Sequence, residues 1–236
     1  MLEAVKLTKD FGSHRALDAL DLRVDPGEIV CLLGANGAGK TTTINLFLGF
    51  LEPSSGEARV DGVDVRTDPV GSKRKLLYVP EQIALFGELT GIENLAYFAA
   101  LSGIPDRSDA YLRECLLKAG LAEAAMTRRA SGYSKGMRQK VGVALAIAKQ
   151  ARALLLDEPT SGLDPQASAE FHDLIVRQRD AGAAVLMVTH DLFRAREVGT
   201  RIGVMRDGRL RRMINAVDIS AAQLETLYLE EMGMVA

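Results

Sequence analysis

Two short stretches of this sequence carry residue types whose spacing can do chemistry. Gly34-Ala35-Asn36-Gly37-Ala38-Gly39-Lys40-Thr41 fits the pattern GxxxxGK[ST], directly after the apolar run Ile29 to Leu33 and ahead of a helical pattern through Ile44 and Leu48. Glycines spaced this way let backbone N–H groups wrap around phosphate oxygens, and the helix start behind them adds partial positive charge. Gly34, Asn36, Gly37, Ala38, Gly39, Lys40, Thr41 and Thr42 are therefore the expected phosphate contacts, with Lys40 reaching the β and γ phosphates and the Thr41 hydroxyl free to ligate Mg²⁺. A dinucleotide fold is the other phosphate-binding option, but the spacing lacks GxGxxG and would leave the Lys-Thr pair without a purpose. The second stretch, Ala153-Leu-Leu-Leu-Asp157, reads as a buried strand ending in a carboxylate, with Glu158 next in line. Two adjacent acids can divide the work: Asp157 holds the metal shell, and Glu158 orients or deprotonates an attacking water. Alone, an acidic strand exit is ordinary; beside a phosphate loop it reads as a hydrolytic site for a nucleoside triphosphate.

Such a site needs strands that end at one edge. Ile29 to Leu33, Ala153 to Leu156 and Ala183 to Val188 are near-continuous apolar runs separated by helical patterns from about Gly39 and Pro165. Runs of this kind predict an α/β fold with a parallel sheet covered on both faces, its ligands bound at the C-terminal strand ends. Leu2 to Thr8 alternates, and Val60-Asp61-Gly62-Val63 and Met205-Arg206-Asp207-Gly208-Arg209 read as hairpins turning at Asp-Gly, so a smaller antiparallel layer should flank the core. From about Gly91 the spacing turns purely helical through Ile92, Leu95, Ala96 and Ala99, then Leu112, Cys115, Leu116 and Ala119. A helical subdomain of about 91–150 is expected there, inside a single domain of residues 1–236. Ser220-Ala-Ala-Gln223 fits a capping box, placing a last helix at about 218–233 with Leu224, Leu227, Tyr228 and Met232 against the body.

Composition narrows the partners. The formal net charge of −2 gives no electrostatic footprint for nucleic acid, which is not an expected partner. Cys31 and Cys115 have no CxxC pairing and no nearby histidines, so both read as buried, reduced thiols. The opening MLEAVKLTKD lacks a signal peptide's basic start and apolar stretch, and no apolar run approaches the roughly 18 residues of a spanning helix. A cytoplasmic chain is expected, with any membrane role coming through a partner.

The phosphate loop alone leaves the class of P-loop NTPase open. With the helical insert, a short Ser-Gly motif opening a helix, the acidic strand and a histidine after a strand, in that order, nearly the whole chain resembles the ATP-binding cassette (ABC) ATPases. The resemblance implies the roles that follow. Gln82, closing Tyr78-Val79-Pro80-Glu81-Gln82, corresponds to the Q-loop glutamine that touches Mg²⁺ and links hydrolysis to the segment docking on a membrane subunit. Phe11, in Lys-Asp-Phe-Gly, matches the aromatic that stacks on adenine. Tyr133-Ser134-Lys135-Gly136-Met137 takes the place of the signature LSGGQ; Ser134 and Gly136 remain for a γ-phosphate, while Lys135 and Met137 replace Gly and Gln. Asp164, in Ser161-Gly162-Leu163-Asp164, belongs to the D-loop that crosses the dimer interface. His190, in Val188-Thr189-His190-Asp191, corresponds to the switch histidine on the γ-phosphate. Of the other histidines, His14 falls in a polar turn and His172 on a helix, where surface placement is expected.

In that family one subunit's signature covers ATP held by another's phosphate loop. The resemblance thus implies a Mg²⁺-dependent ATP hydrolase acting as a homodimer, or as a heterodimer with a second cassette. Closure would drive a separate transmembrane permease through about 83–97, where Leu85, Phe86 and Leu89 read as exposed, and would hold the chain at the inner face of the membrane. The YSKGM signature is similar to that of ABC-2 type exporter subunits. The competing class is a soluble cassette ATPase working mechanically on a macromolecule. Its members commonly carry two cassettes or a long coiled-coil insert, features not found in these 236 residues.

Overall fold

The computed structural model describes residues 1–234. The N-terminal stretch forms β1 (Leu2–Phe11), antiparallel to β2 (His14–Val24). Its alternation is broken where Val5 and Lys6 both face out and Leu7 and Thr8 both face in. The register slips between Ala4 and Leu7, and Lys6 takes a left-handed backbone at φ 43°, the marks of a β-bulge that period-two reading misses. The apolar run that follows is β3 (Glu28–Leu33). Beyond the phosphate loop, β4 (Ser55–Val60) and β5 (Val63–Asp64) turn at Asp61-Gly62, both at positive φ as a tight hairpin requires. They complete a four-stranded sheet in the order β2-β1-β4-β5.

Then come β6 (Leu76–Val79), β7 (Ala153–Asp157), β8 (Ala184–Thr189), β9 (Arg201–Arg206) and β10 (Arg209–Asn215). With β3 they form a six-stranded sheet in the order β10-β9-β3-β8-β7-β6. β3 lies parallel to β8 and β9, and β7 parallel to β8, while β9 and β10 form the second Asp-Gly hairpin. The register sets the functional edge: Leu33 lies opposite Thr189, and Asp157 opposite Val188. The residues following these strands therefore emerge side by side.

The helices in chain order are α1 (Lys40–Phe47), α2 (Pro69–Lys75), α3 (Gly91–Leu101), α4 (Asp109–Lys118), α5 (Glu123–Met126), α6 (Lys135–Lys149), α7 (Pro165–Asp180), α8 (Leu192–Val198) and α9 (Ala221–Met232). Contacts divide the chain into two units. The first takes Met1–Tyr78, Arg152–Glu158 and Arg179–Ala236 and holds both sheets. Its core joins Leu7, Leu20 and Val60 of the antiparallel layer to Leu32, Leu155 and Leu186 of the parallel one, with Ile44 and Phe47 of α1 in the same cluster. α9 begins with the capping box of Ser220 and Gln223 and buries Leu224, and Arg206 donates to the Glu231 carbonyl at 2.7 Å.

The second unit takes Val79–Ala151 and Pro159–Gln178. It buries Leu95 of α3, Leu112 and Leu116 of α4, and Val141 and Ala144 of α6. It is wider than the helical spacing of 91–150 marks, because most of α7 belongs to it: Lys140 of α6 pairs with Glu170 of α7 at 2.7 Å. α7 buries Ser168, Phe171, His172 and Ile175, a stripe at helical spacing. His172, expected at the surface, is only 4% exposed because it falls on that stripe. The stretch 83–97, expected to dock on a partner, is also less exposed than it reads: Phe86 is exposed, while Leu85 and Leu89 are half-buried.

Candidate active site

The loop between β3 and α1 is shaped by close backbone approaches. A Cβ at Gly39 would meet the Ala16 carbonyl oxygen at 2.7 Å, and one at Gly34 the Met205 carbonyl oxygen at 2.5 Å. Gly39 also sits at φ 100°, a conformation side chains rarely adopt, and caps α1 without a side chain of its own. The first turn of α1 thus has no side-chain cap, and an anion is favoured at such a helix start. Lys40 is 7% exposed, and its Nζ donates to the carbonyls of Gly34 at 2.5 Å and Ala35 at 3.1 Å. Burial lowers the pKa of this ammonium; the charges of Glu158 and Asp157 act the other way and help keep it protonated. Thr41 is exposed and Thr42 half-exposed at the helix start, whereas Thr43 turns inward and donates to the Gly39 carbonyl at 2.9 Å. Asn36 and Gly37 are exposed on the loop and Ala38 is buried beneath it.

Asp157 ends β7 and accepts a long hydrogen bond from the Tyr78 hydroxyl at 3.4 Å. Burial, with the Asp157 charge second, pushes the Tyr78 phenol up to about 12. Glu158 takes a left-handed backbone at φ 44°, unusual for a residue with a side chain, and its N–H donates to the Val188 carbonyl at 2.9 Å. Both carboxylate oxygens are engaged. Oε2 accepts from the Thr189 hydroxyl at 3.1 Å, and Oε1 lies 2.9 Å from His190 Nδ1. Thr189 is itself fixed, accepting from the Asp191 amide at 3.1 Å. The imidazole is 67% exposed, with Nδ1 committed to Glu158. The carboxylate is thus held by one partner on each oxygen, and the backbone beneath it is tied to β8. Phe11, at the end of β1, is 47% exposed with Lys9 Nζ 5.1 Å from its ring centroid, so the ring is open to stacking.

Gln82, Ser134, Gly136 and Asp164 belong to the helical unit. Gln82 is exposed on the loop after β6. Ser134 caps α6, its Oγ accepting from the Met137 amide at 3.2 Å, which leaves the hydroxyl proton available to a phosphate. Gly136 lies in the first turn, where an added Cβ would come 3.3 Å from the Ala167 Cβ. Asp164 caps α7, its Oδ1 accepting from the Ala167 amide at 2.8 Å. Lys135 turns along the unit's own surface: Nζ donates to the Ser161 carbonyl and lies 3.7 Å from Glu81 Oε1.

The family model described as ABC transporter matches residues 17–161. The chain belongs to the ABC transporter family. This ABC cassette is 37% identical over 210 residues to the daunorubicin/doxorubicin resistance ATP-binding protein of Streptomyces peucetius, covering 89% of this chain and 63% of that one. It spans 9 to 10% of the length of two rat relatives from ATP-binding cassette sub-family A. Among solved structures it matches an ATP-binding subunit of an ABC transporter at 30% identity and TM-score 0.84, covering 98% of both chains. It also matches a dimeric post-hydrolysis state of an ATP-binding cassette bound to ADP and Pi, at 27% identity and TM-score 0.80, covering 92% of this chain and 99% of that one.

Three residues of this ABC cassette escaped the sequence reading. Thr189 lies inside the histidine segment, but only the register shows that its hydroxyl meets Glu158. A polar residue ending an otherwise apolar strand is the signal that marks it. Tyr78 stands as the first letter of the glutamine loop, with nothing local to pair it with Asp157. Gln139, buried in α6, donates to the Pro80 and Glu81 carbonyls beside Gln82. A polar residue on the apolar stripe of a helix was its only mark.

Proposed function

We propose that this chain is the ATP-binding and ATP-hydrolysing subunit of an ABC membrane transporter, with residues 1–236 acting as one nucleotide-binding domain. The observation that carries the reading is the Glu158 carboxylate, held by Thr189 and His190 at the strand edge that also presents Lys40. ATP lies with its phosphates on Gly34, Asn36, Gly37, Ala38, Gly39, Lys40, Thr41 and Thr42 and its adenine on Phe11. Glu158 accepts a proton from the attacking water, and His190 holds the γ-phosphate through its exposed edge. Ser134, Gly136 and Asp164 of a second cassette cover the same nucleotide, so two chains close head to tail around two ATP molecules. Hydrolysis removes the link between them.

Thr41, Asp157 and Gln82 offer a hydroxyl, a carboxylate and an amide oxygen, a hard-oxygen set suited to Mg²⁺. When bound, Mg²⁺ neutralises charge on the β and γ phosphates.

The partner is a transmembrane permease that holds the chain at the inner face of the membrane, as membership of the ABC transporter family implies. Export is the direction favoured by the signature's likeness to ABC-2 exporter subunits, and the drug-resistance name of the Streptomyces relative supports it. The test is phosphate release measured against protein concentration with Mg²⁺ and ATP. Activity rising more steeply than concentration and lost in Lys40→Ala is expected. Activity strictly proportional to concentration, from a chain that stays monomeric, would remove the shared site.

A further inference from the structure

The residue that departs furthest from the usual signature has the least local reason to be there. Lys135 opens α6, where a cation opposes the helix dipole, so helix stability does not explain it. Its ammonium is instead taken up by two other segments of the same unit: Nζ donates to the Ser161 carbonyl and lies 3.7 Å from Glu81 Oε1, with the side chain 28% exposed. Ser161 is three residues before Asp164, and Glu81 stands beside Gln82. One turn further along α6, Gln139 is 1% exposed and donates to the Pro80 carbonyl at 3.3 Å and the Glu81 carbonyl at 3.2 Å. Residues four apart share a helix face, so Lys135 and Gln139 form a continuous clasp. Lys135 is its only member that reaches the Ser161 loop, and a glycine there could not.

We propose that Lys135 is a positioning residue that fastens the Ser161–Asp164 and Glu81–Gln82 loops to the start of α6. Ser134, Gly136 and Asp164 are thereby presented to the opposing cassette as one preformed surface. The inference rests on the shared-site reading above. Its physical basis is pre-organisation: a loop already held in its docking conformation loses less conformational freedom when the dimer closes. A charge-assisted bond to a carbonyl, supported by a carboxylate, is strong enough to set that conformation.

The test compares Lys135→Ala, Lys135→Arg and Glu81→Gln in the full chain by two measurements. Without nucleotide, amide hydrogen exchange across 159–164 should quicken about tenfold in Lys135→Ala, the scale of one lost charge-assisted hydrogen bond. Exchange in β3 and β7 should not change, and Lys135→Arg should restore most of the protection. In the ATPase assay, Lys135→Ala should raise the protein concentration giving half-maximal activity about tenfold, matching the lost loop order, while ATP binding to the monomer stays as in the parent. Glu81→Gln should shift both readouts the same way by less. Unchanged exchange in Lys135→Ala would overturn the clasp. Faster exchange with unchanged concentration dependence would overturn its role in docking, leaving only a structural brace. Weaker ATP binding to the Lys135→Ala monomer would assign the lysine to its own nucleotide instead. Should the parent hydrolyse ATP in strict proportion to its concentration, the shared-site reading fails, and the exchange data still decide whether the clasp exists.

Discussion

The strand edge and the start of α6 hold their polar side chains in different ways. At the strand edge, Asp157 and Thr189 end parallel strands and Glu158 and His190 follow them, the register bringing all four side by side, and Glu158 has a partner on each oxygen. At α6, Ser134 and Asp164 spend their oxygens capping helices, and Lys135 spends its charge on a neighbouring loop. In the proposed mechanism the first region aims a base. The other is built to present backbone amides and to hold its loops in shape. Aim governs the rate of a bound nucleotide, while presentation governs how readily a second chain is engaged.

Substitutions should separate these two behaviours. The largest effect is expected for Glu158→Gln, which removes the base but keeps shape: phosphate release should fall about a thousandfold with ATP binding retained. Thr189→Val sharpens the comparison, since it removes only the hydroxyl that steadies Glu158. A fall of about tenfold in kcat with little change in KM is expected, as slight misplacement of a catalytic group costs rate rather than binding. Equal loss in both constants would place Thr189 in nucleotide binding. At α6, Ser134→Ala should cost about 1 kcal/mol of stability through the lost cap, read by urea unfolding. It should also raise the half-saturating protein concentration without changing ATP binding to the monomer. A pure kcat defect in that variant would erase the distinction between the regions.

The smallest expected effect concerns Tyr78. Its folded-state pKa is raised from 10.0 to about 12, so between those values the unfolded chain has lost a proton that the folded chain keeps. Stability must therefore fall as pH rises through that window. Tyr78→Phe should flatten the fall measured by urea unfolding at successive pH values, and an unaltered slope would remove Tyr78 as its source.

The same contrast marks what was legible in the sequence. Continuous apolar runs have no solvent face, so β3, β7 and β8 and their shared edge could be read directly, as could both Asp-Gly hairpins and the capping box of α9. The placement of Lys40 at the start of α1 and of the acid pair at the end of β7 could be read as well, since both are tied to the ends of those strands. The bulge at Lys6 and the burial of His172 could not be read, since each depends on packing rather than period. Nor could the direction of Lys135, because its partners lie 26 and 54 residues away in sequence on either side. Contacts between loops leave no periodic trace.

The most direct measurement is the mass of Glu158→Gln in solution, by light scattering with and without Mg²⁺ and ATP. An ATP-dependent dimer that disappears when Lys40→Ala is added is the expected result. A monomer that persists with bound ATP would contradict the shared site on which the account depends.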